Sequence, residues 1–226
     1  PITSEEFFRL DVDVLVPAAL ENQITAANVA GIRARVIVEG ANSFITPDAR
    51  TELQKRGVVI LRDASANKCG VISSSYEIIA NLLMTDKEFL SNKEEYVADV
   101  LAILEKRAGD EAELIFRRKR ENPELSYTGI SDAISVEINR HYALLFDYFQ
   151  ARTGLPLVPP YRTALLAHLP AFVQGHPKFR GRVRNLPPKY LSAILAAEIA
   201  TTIVYRGGFE TNFESDLRNY LGKMFV

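Results

Sequence analysis

The chain has 226 residues, 47% of them hydrophobic and 24% charged. These are the proportions of a globular protein with apolar surface enough for a buried core, and they exclude a disordered or fibrous chain. A formal net charge of −1 argues against a protein whose main partner is a polyanion, so nucleic acid is not an expected ligand, although a local basic patch stays open. The single cysteine, Cys69, excludes an internal disulfide and fits a reducing compartment, which makes a cytoplasmic location the expectation.

The opening "PITSEEFFRL" is short, acidic and polar, unlike a signal peptide. It starts on Pro1 and leads within a few residues into a strand pattern, so the chain reads as a piece of a longer polypeptide. Strands are expected over 13–18 ("DVLVPA"), 35–40 ("RVIVEG") and 57–63 ("GVVILRD"). All three are apolar on both faces, the pattern of parallel sheets covered on both sides. Helical patterns separate them at 24–32 and 46–57. The second begins with Thr46 as N-cap, Pro47 at the first helical position and Asp48 in the first turn, and Gly57 closes it. The order β-α-β-α-β predicts parallel strands.

From Val71 onward the pattern is helical. Tyr96, Val97, Val100, Leu101 and Leu104 share one helical face, and Ile134, Ile138, Tyr142, Leu145 and Phe149 share another, with Gly154 as the expected terminator. "LPLVPP" and "NLPPKY" are proline-marked breaks. Two further helices are expected over 188–205 and 210–224. The most apolar run, "YLSAILAAEIATTIVY", has 16 residues with Glu198 in its middle. That falls short of the roughly 20 apolar residues of a membrane span, so it reads as a helix buried in protein.

Ligands of an open parallel sheet bind beyond the carboxyl ends of its strands. The loops there read "PAALENQ", "EGANSF" and "DASANKCG". Small residues recur in them and let backbone approach a flat ligand. Carboxamides recur too, and these both donate and accept hydrogen bonds, which suits ribose hydroxyls or an amide. Loops favour such residues in any case, so composition alone leaves a binding edge and an ordinary set of turns both open.

In order and spacing, "DVDVLVPAALENQIT", "VIVEGANSFITPDA" and "NKCGVISSSYE" resemble the second half of the coenzyme domain of glutamate dehydrogenases, in particular the large, bacterial, NAD-specific class. "PPKYLSAILAAEIATTIVYRGGFETNFESDL" looks like the helical C-terminal region of that class. The resemblance implies a partial α/β Rossmann-like parallel sheet followed by an all-α region. Residues 1–78 would be the C-terminal half of an NAD-binding domain and residues 79–226 a helical C-terminal domain. It also implies NAD as cofactor, L-glutamate and 2-oxoglutarate as substrates, the rest of the same polypeptide as partner, and a homo-oligomer. By position, it implies that Ala18 and Ala19 lie near the adenosine ribose, that Asn42 of "EGAN" lies by the nicotinamide ribose with Gly40 also in the cofactor site, and that Asn67 reaches the nicotinamide carboxamide. Val71 and Ser74 would face the substrate, the serine helping to hold the side-chain carboxylate of glutamate.

Three departures stand beside it. Lys68 and Cys69 occupy the place of two small residues between Asn67 and Gly70, and "EGANGP" becomes Asn42-Ser43-Phe44. None of the 12 glycines forms a G-x-G-x-x-G turn, so the pyrophosphate cradle is expected upstream. The family's catalytic lysine and aspartate have no counterpart, so no catalytic residue is assigned and the fragment alone is expected to be inactive. The alternatives are a leucine- or phenylalanine-type dehydrogenase, and a regulatory or assembly module of helices.

The remaining features read as structural. Cys69 is expected as a small buried filler. His141, His168 and His176 lack metal-ligand spacing. The run at 117–120 is expected as a solvated, basic helix end. Ser73–Ser75 lack the surroundings of a nucleophile. "KFRGRVR" is expected as an irregular segment that docks on an acidic face of the parent protein rather than on nucleic acid.

Overall fold

The computed structural model describes residues 3–207 and 212–222. It divides into two units, Pro1–Gly70 with Ile115–Ser135, and Val71–Leu114 with Val136–Val226.

The first unit opens on α1 (Ser4–Phe8), held by a capping box in which the Thr3 hydroxyl accepts from the Glu6 amide and the Glu6 carboxylate accepts from the Thr3 amide. It continues through β1 (Val14–Leu15), β2 (Val36–Val38), α2 (Pro47–Lys55), β3 (Val59–Leu61) and α3 (Asp63–Ala66). The strands form one sheet in the order β1-β2-β3, parallel throughout, with Val14 opposite Val36 and Ile37 opposite Ile60. β1 is shorter than expected and lies at an edge. Val14 and Val16 are 52% and 56% exposed, so on this strand only the Leu15 side is covered, where the sequence pattern predicts cover on both. Leu15, Ile37 and Ile60 meet Ile24, Ile32, Phe44 and Leu53 in one buried cluster.

α2 forms where expected, with Pro47 at its first turn. The Thr46 hydroxyl donates to Asp48 rather than capping the helix backbone. At the other end the Gly57 amide donates to the Gln54 carbonyl and the Val58 amide to the Leu53 carbonyl, both at 3.0 Å. Gly57 sits at φ +82°, the left-handed conformation this Schellman closure needs.

The helix expected over 24–32 does not form. Ile24 instead makes a parallel bridge with Ile45, and only a 3₁₀ turn, Val29–Gly31, follows. Asn28 explains the difference. Its side-chain oxygen accepts from the Thr25 amide at 2.8 Å and its amino group donates to the Gln23 carbonyl at 2.7 Å. This side chain supplies the local partners a helix would otherwise supply, a competition typical of Asn and Thr.

Glu39 follows directly on β2 and is fully buried. Its Oε1 accepts from the Ile45 amide and its Oε2 from the Asp63 amide, each at 3.2 Å. The Arg50 guanidinium lies 3.3 Å away and also donates to the Ile45 carbonyl at 3.0 Å. One carboxylate thereby ties the ends of β2 and β3 to α2.

The segment from 115 to 135 completes this unit. Gln54 donates to the Thr128 hydroxyl at 2.7 Å, Arg62 pairs with Asp132, and the Ser65 and Ser131 hydroxyls are hydrogen bonded. The basic run at 117–120 is not a solvated end. Arg118 is fully buried, and Lys119 donates to the carbonyls of Pro123 and Leu125.

The second unit is built of helices. Most of α4 (Cys69–Leu83) and α5 (Asp86–Glu121) and the later part of α6 (Tyr127–Gln150) are followed by α7 (Tyr161–Ala167), α8 (Ala171–Gly175), α9 (Pro177–Arg182), α10 (Pro188–Arg206) and α11 (Phe213–Gly222). α6 stops at Gln150, ahead of Gly154. α11 accounts for part of the helix expected over 210–224, of which residues 210, 211, 223 and 224 lie outside the described residues. Among the described residues no helix is long and apolar enough to cross a membrane. α10 is the centre of this unit's core, with Leu191, Leu195, Ile199 and Ile203 buried. Tyr76 and Tyr96 are buried with it, the Tyr96 hydroxyl donating to the Tyr76 carbonyl at 2.7 Å and the Tyr76 hydroxyl to the His168 carbonyl at 2.9 Å.

"KFRGRVR" is helical rather than irregular, forming α9 and a 3₁₀ turn, Val183–Asn185. Lys178 and Arg182 both pair with Glu88, at 2.5 and 2.7 Å. Glu88 also closes the capping box of α5 with Thr85, so two of the segment's four cations serve the fold of this chain.

Glu198, the lone charge of the apolar run, meets Arg107 and His168, each at 3.1 Å. The His168 ring stacks on Tyr76 with centroids 5.6 Å apart. Burial pushes the His168 imidazole below its ordinary range, further helped by the Arg107 charge, and outweighs the pull of Glu198. His168 is therefore neutral at pH 7. Burial works against the Glu198 carboxylate, but the hydrogen bond from His168, the charge of Arg107 and the Thr202 hydroxyl together hold it below the usual range.

Two predictions follow from this architecture. Glu39→Ala leaves the Arg50 charge and two loop amides without their acceptor and should cost about 3–5 kcal/mol in urea unfolding, whereas Glu39→Gln should cost about 1–3 kcal/mol. A loss below ~1 kcal/mol for the alanine variant would show that the carboxylate does not organise these loops. His168 binds its proton more weakly folded than unfolded, so its stabilising contribution is complete above about pH 6.5 and declines as the pH falls from there toward the depressed folded value, by at most ~1.4 kcal/mol per pH unit. Melting curves from pH 7.5 to 5 should fall for the wild type and be flatter for His168→Gln; equal slopes would remove His168 as the source.

Candidate functional site at the carboxyl edge of the sheet

The loops that leave β1, β2 and β3 run together at one edge of the first unit. The loop after β1 pairs with the loop after β2 by backbone hydrogen bonds, Asn22 amide to Ser43 carbonyl at 2.9 Å and Gln23 amide to Phe44 carbonyl at 3.0 Å. The amides of Gly40 and Ala41 both donate to the Pro17 carbonyl, at 2.9 and 3.0 Å. This approach favours a glycine. A Cβ on residue 40 would lie 3.1 Å from Ala18 Cβ and 3.2 Å from the Pro17 carbonyl oxygen. Ala18 and Ala19 follow on the same loop, both exposed.

The two carboxamides meet directly. Asn67, the residue that ends α3, donates from Nδ2 to Asn42 Oδ1 at 2.6 Å. The Asn42 side-chain amino group and the Asn67 Oδ1 make no further hydrogen bond among the described residues. The pair thus offers one donor and one acceptor at an exposed to half-buried position, a set that suits an amide or adjacent hydroxyls.

Strain is stored beside it. Ser43 lies at φ 49° and Asn22 at φ 53°. Asn visits this left-handed region readily, Ser much less so. The Ser43 amide donates to Asp63 Oδ2 at 2.8 Å, and the Asp63 amide in turn donates to Glu39. Glu39 and Asp63 are the positioning residues that a search for ligand-contacting groups passes over. The available clue is their placement, each within two residues of the end of a strand.

The structure brings Ala18 and Gly40 together, and Asn42 with Asn67, in the first unit. Val71 and Ser74 belong to the second unit, in the opening turns of α4. Both are exposed, Val71 at 76%, on the face away from the buried Tyr76, Ile79, Ala80 and Leu83. Cys69 is half-buried at the start of the same helix.

Comparison with known proteins places these motifs. Residues 1–118 match the family model for Glutamate/Leucine/Phenylalanine/Valine dehydrogenase. The chain is 35% identical over 186 residues to the probable NAD-specific glutamate dehydrogenase of Schizosaccharomyces pombe, covering 76% of this chain and 16% of that protein. It is 31% identical over 225 residues to the NAD-specific glutamate dehydrogenase of Saccharomyces cerevisiae, covering 89% and 20%. Against the glutamate dehydrogenase of Thermotoga maritima it is 48% identical over 81 residues, 36% of this chain and 20% of that one. The chain therefore spans a fifth or less of the length of these relatives. With more than half of its length inside the family model, the chain belongs to the glutamate/leucine/phenylalanine/valine dehydrogenase family.

Proposed function

We propose that this chain forms part of an NAD-dependent glutamate dehydrogenase, which oxidatively deaminates L-glutamate to 2-oxoglutarate and ammonia. The observation that carries the reading is the Asn42–Asn67 pair at 2.6 Å beside the glycine-favoured crossing of the first two loops. It offers the donor and acceptor that a nicotinamide amide and its ribose require, next to backbone that can lie flat against a ring. The relatives' names favour NAD and glutamate over leucine or phenylalanine, and so does a serine at position 74.

In this reading residues 1–78 are the C-terminal half of the NAD-binding domain and residues 79–226 the helical C-terminal domain, within a cytoplasmic homo-oligomer. The exposed apolar side chains of the edge strand β1, Val14 and Val16, fit a sheet that continues in the rest of the polypeptide, where a glycine-rich turn for the pyrophosphate would lie. Ala18 and Ala19 lie by the adenosine ribose, Asn42 lies by the nicotinamide ribose with Gly40 also in the cofactor site, and Asn67 holds the carboxamide. Val71 and Ser74 face the substrate. NAD when bound supplies the hydride acceptor. The residues of this chain orient its ring and hold the side-chain carboxylate of glutamate; the proton chemistry falls to residues elsewhere in the polypeptide.

In the full-length enzyme, Ser74→Ala removes a charge-assisted hydrogen bond worth roughly 1.5–3 kcal/mol and should lower kcat/KM for glutamate about ten- to a hundredfold while leaving the KM for NAD nearly unchanged. Asn42→Ala should show the opposite bias, raising the KM for NAD more than that for glutamate. Steady-state kinetics with each substrate varied in turn separates these outcomes. Equal effects of Ser74→Ala on both substrates, with a lowered melting temperature, would make Ser74 a structural helix residue and remove the chief chemical reason for naming glutamate.

A further inference from the structure

The amino ends of the same strands carry a second concavity. Residues that precede the three strands, Asp13, Arg33, Arg35, Arg56 and Gly57 among them, line a groove of about 750 Å³ at the edge opposite the loops described above. Small-molecule sites commonly enclose roughly 300–1,000 Å³.

Its charge is arranged rather than scattered. Ala34 is 3% exposed, and Arg33 and Arg35 on either side of it are both exposed. Arg56 comes from the end of α2 and is held rigidly, its two terminal nitrogens donating to the carbonyls of Val29 at 2.8 Å and Ile32 at 2.6 Å. Gly57 beside it has no atom within 4 Å of where a Cβ would stand, so this wall is bare backbone. Three arginines and a single carboxylate, Asp13, line the groove; Asp13 lies 3.7 Å from Arg35, and both of those side chains are 84% exposed. An ion pair so exposed contributes little and is readily exchanged. Arg33 makes no ion pair among the described residues.

We propose that this groove binds a small polyanion, a molecule bearing two or more phosphate or carboxylate groups, with Arg33 and Arg35 as the binding forks and Arg56 as a fixed positive charge. Guanidinium groups match both oxyanions in bidentate geometry. The anion displaces Asp13 from Arg35 as it binds.

Isothermal titration calorimetry on the full chain tests this, with inorganic triphosphate and citrate as separate arms to decide between phosphate and carboxylate. At least one should bind at a single site. Arg33→Ala combined with Arg35→Ala should weaken it by about tenfold or more, and Asp13→Asn should tighten it about two- to fivefold. All three substituted side chains are exposed, so melting temperatures should stay within a degree or so of wild type. Asn42→Ala, at the opposite edge, should leave the affinity unchanged, which separates this site from the coenzyme loops. Saturation by neither anion at millimolar concentration, affinity indifferent to the arginine pair or weakened by Asp13→Asn, or tighter binding of a polyglutamate peptide than of both small anions would each overturn the proposal.

Discussion

The carboxylate of Glu39 is the constraint on which the first unit depends. It is fully buried, and an ion out of water is costly unless its charge and lone pairs are matched. Here each oxygen accepts one backbone amide, from Ile45 and Asp63, and Arg50 supplies the countercharge. The benefit is mutual. Ile45 is 2% exposed, and an amide buried that deeply needs a partner that no neighbouring strand provides. An apolar residue at position 39 would pack equally well but would leave two loops without their anchor.

The candidate site is a sequence of consequences of that anchor. Glu39 holds the Asp63 amide; the Asp63 side chain holds the Ser43 amide; Ser43 is thereby kept in a left-handed conformation it would not choose alone. Its neighbour Asn42 then stands within hydrogen-bonding distance of Asn67. Strain of this kind persists only where surrounding structure overdetermines it. The chain spends two buried or half-buried acids, neither of whose side chains hydrogen-bonds the carboxamide groups themselves, to place the two carboxamides.

How legible this was in the sequence varies with the range of the forces involved. β2, β3 and α2 were legible, because β-branched runs, a proline at the first helical turn and a closing glycine act within a few residues of themselves. The convergence of the three loops followed from parallel topology. The segment at 24–32 misled because Asn28 satisfies its neighbours through its side chain, which apolar spacing does not register. Arg118 misled because charge alone predicts solvation, and "KFRGRVR" because a dense run of cations gives no apolar spacing from which to read a helix. Burial of a guanidinium, or its pairing with Glu88 94 residues away, is decided by tertiary contacts. The roles of Glu39 and Asp63 were hidden for the same reason: a carboxylate at a strand end can face a ligand or hold a loop, and only the positions of the amides tell which.

The second unit solves a related problem with different means. Glu198 interrupts an otherwise apolar helix, and in the sequence it marks that helix as one that packs against protein. In the fold it gathers Arg107 of α5 and His168 at the end of α7 around α10. Its partners are side chains, whereas two of the three partners of Glu39 are backbone amides. Side-chain partners can follow a small shift of one helix along another, and so they select which helices pack without fixing loop geometry to a few tenths of an ångström. Backbone amides allow no such adjustment. The buried acid that holds backbone is found beneath the loops of the candidate site, and the one that holds side chains is found where helices need only be matched to one another.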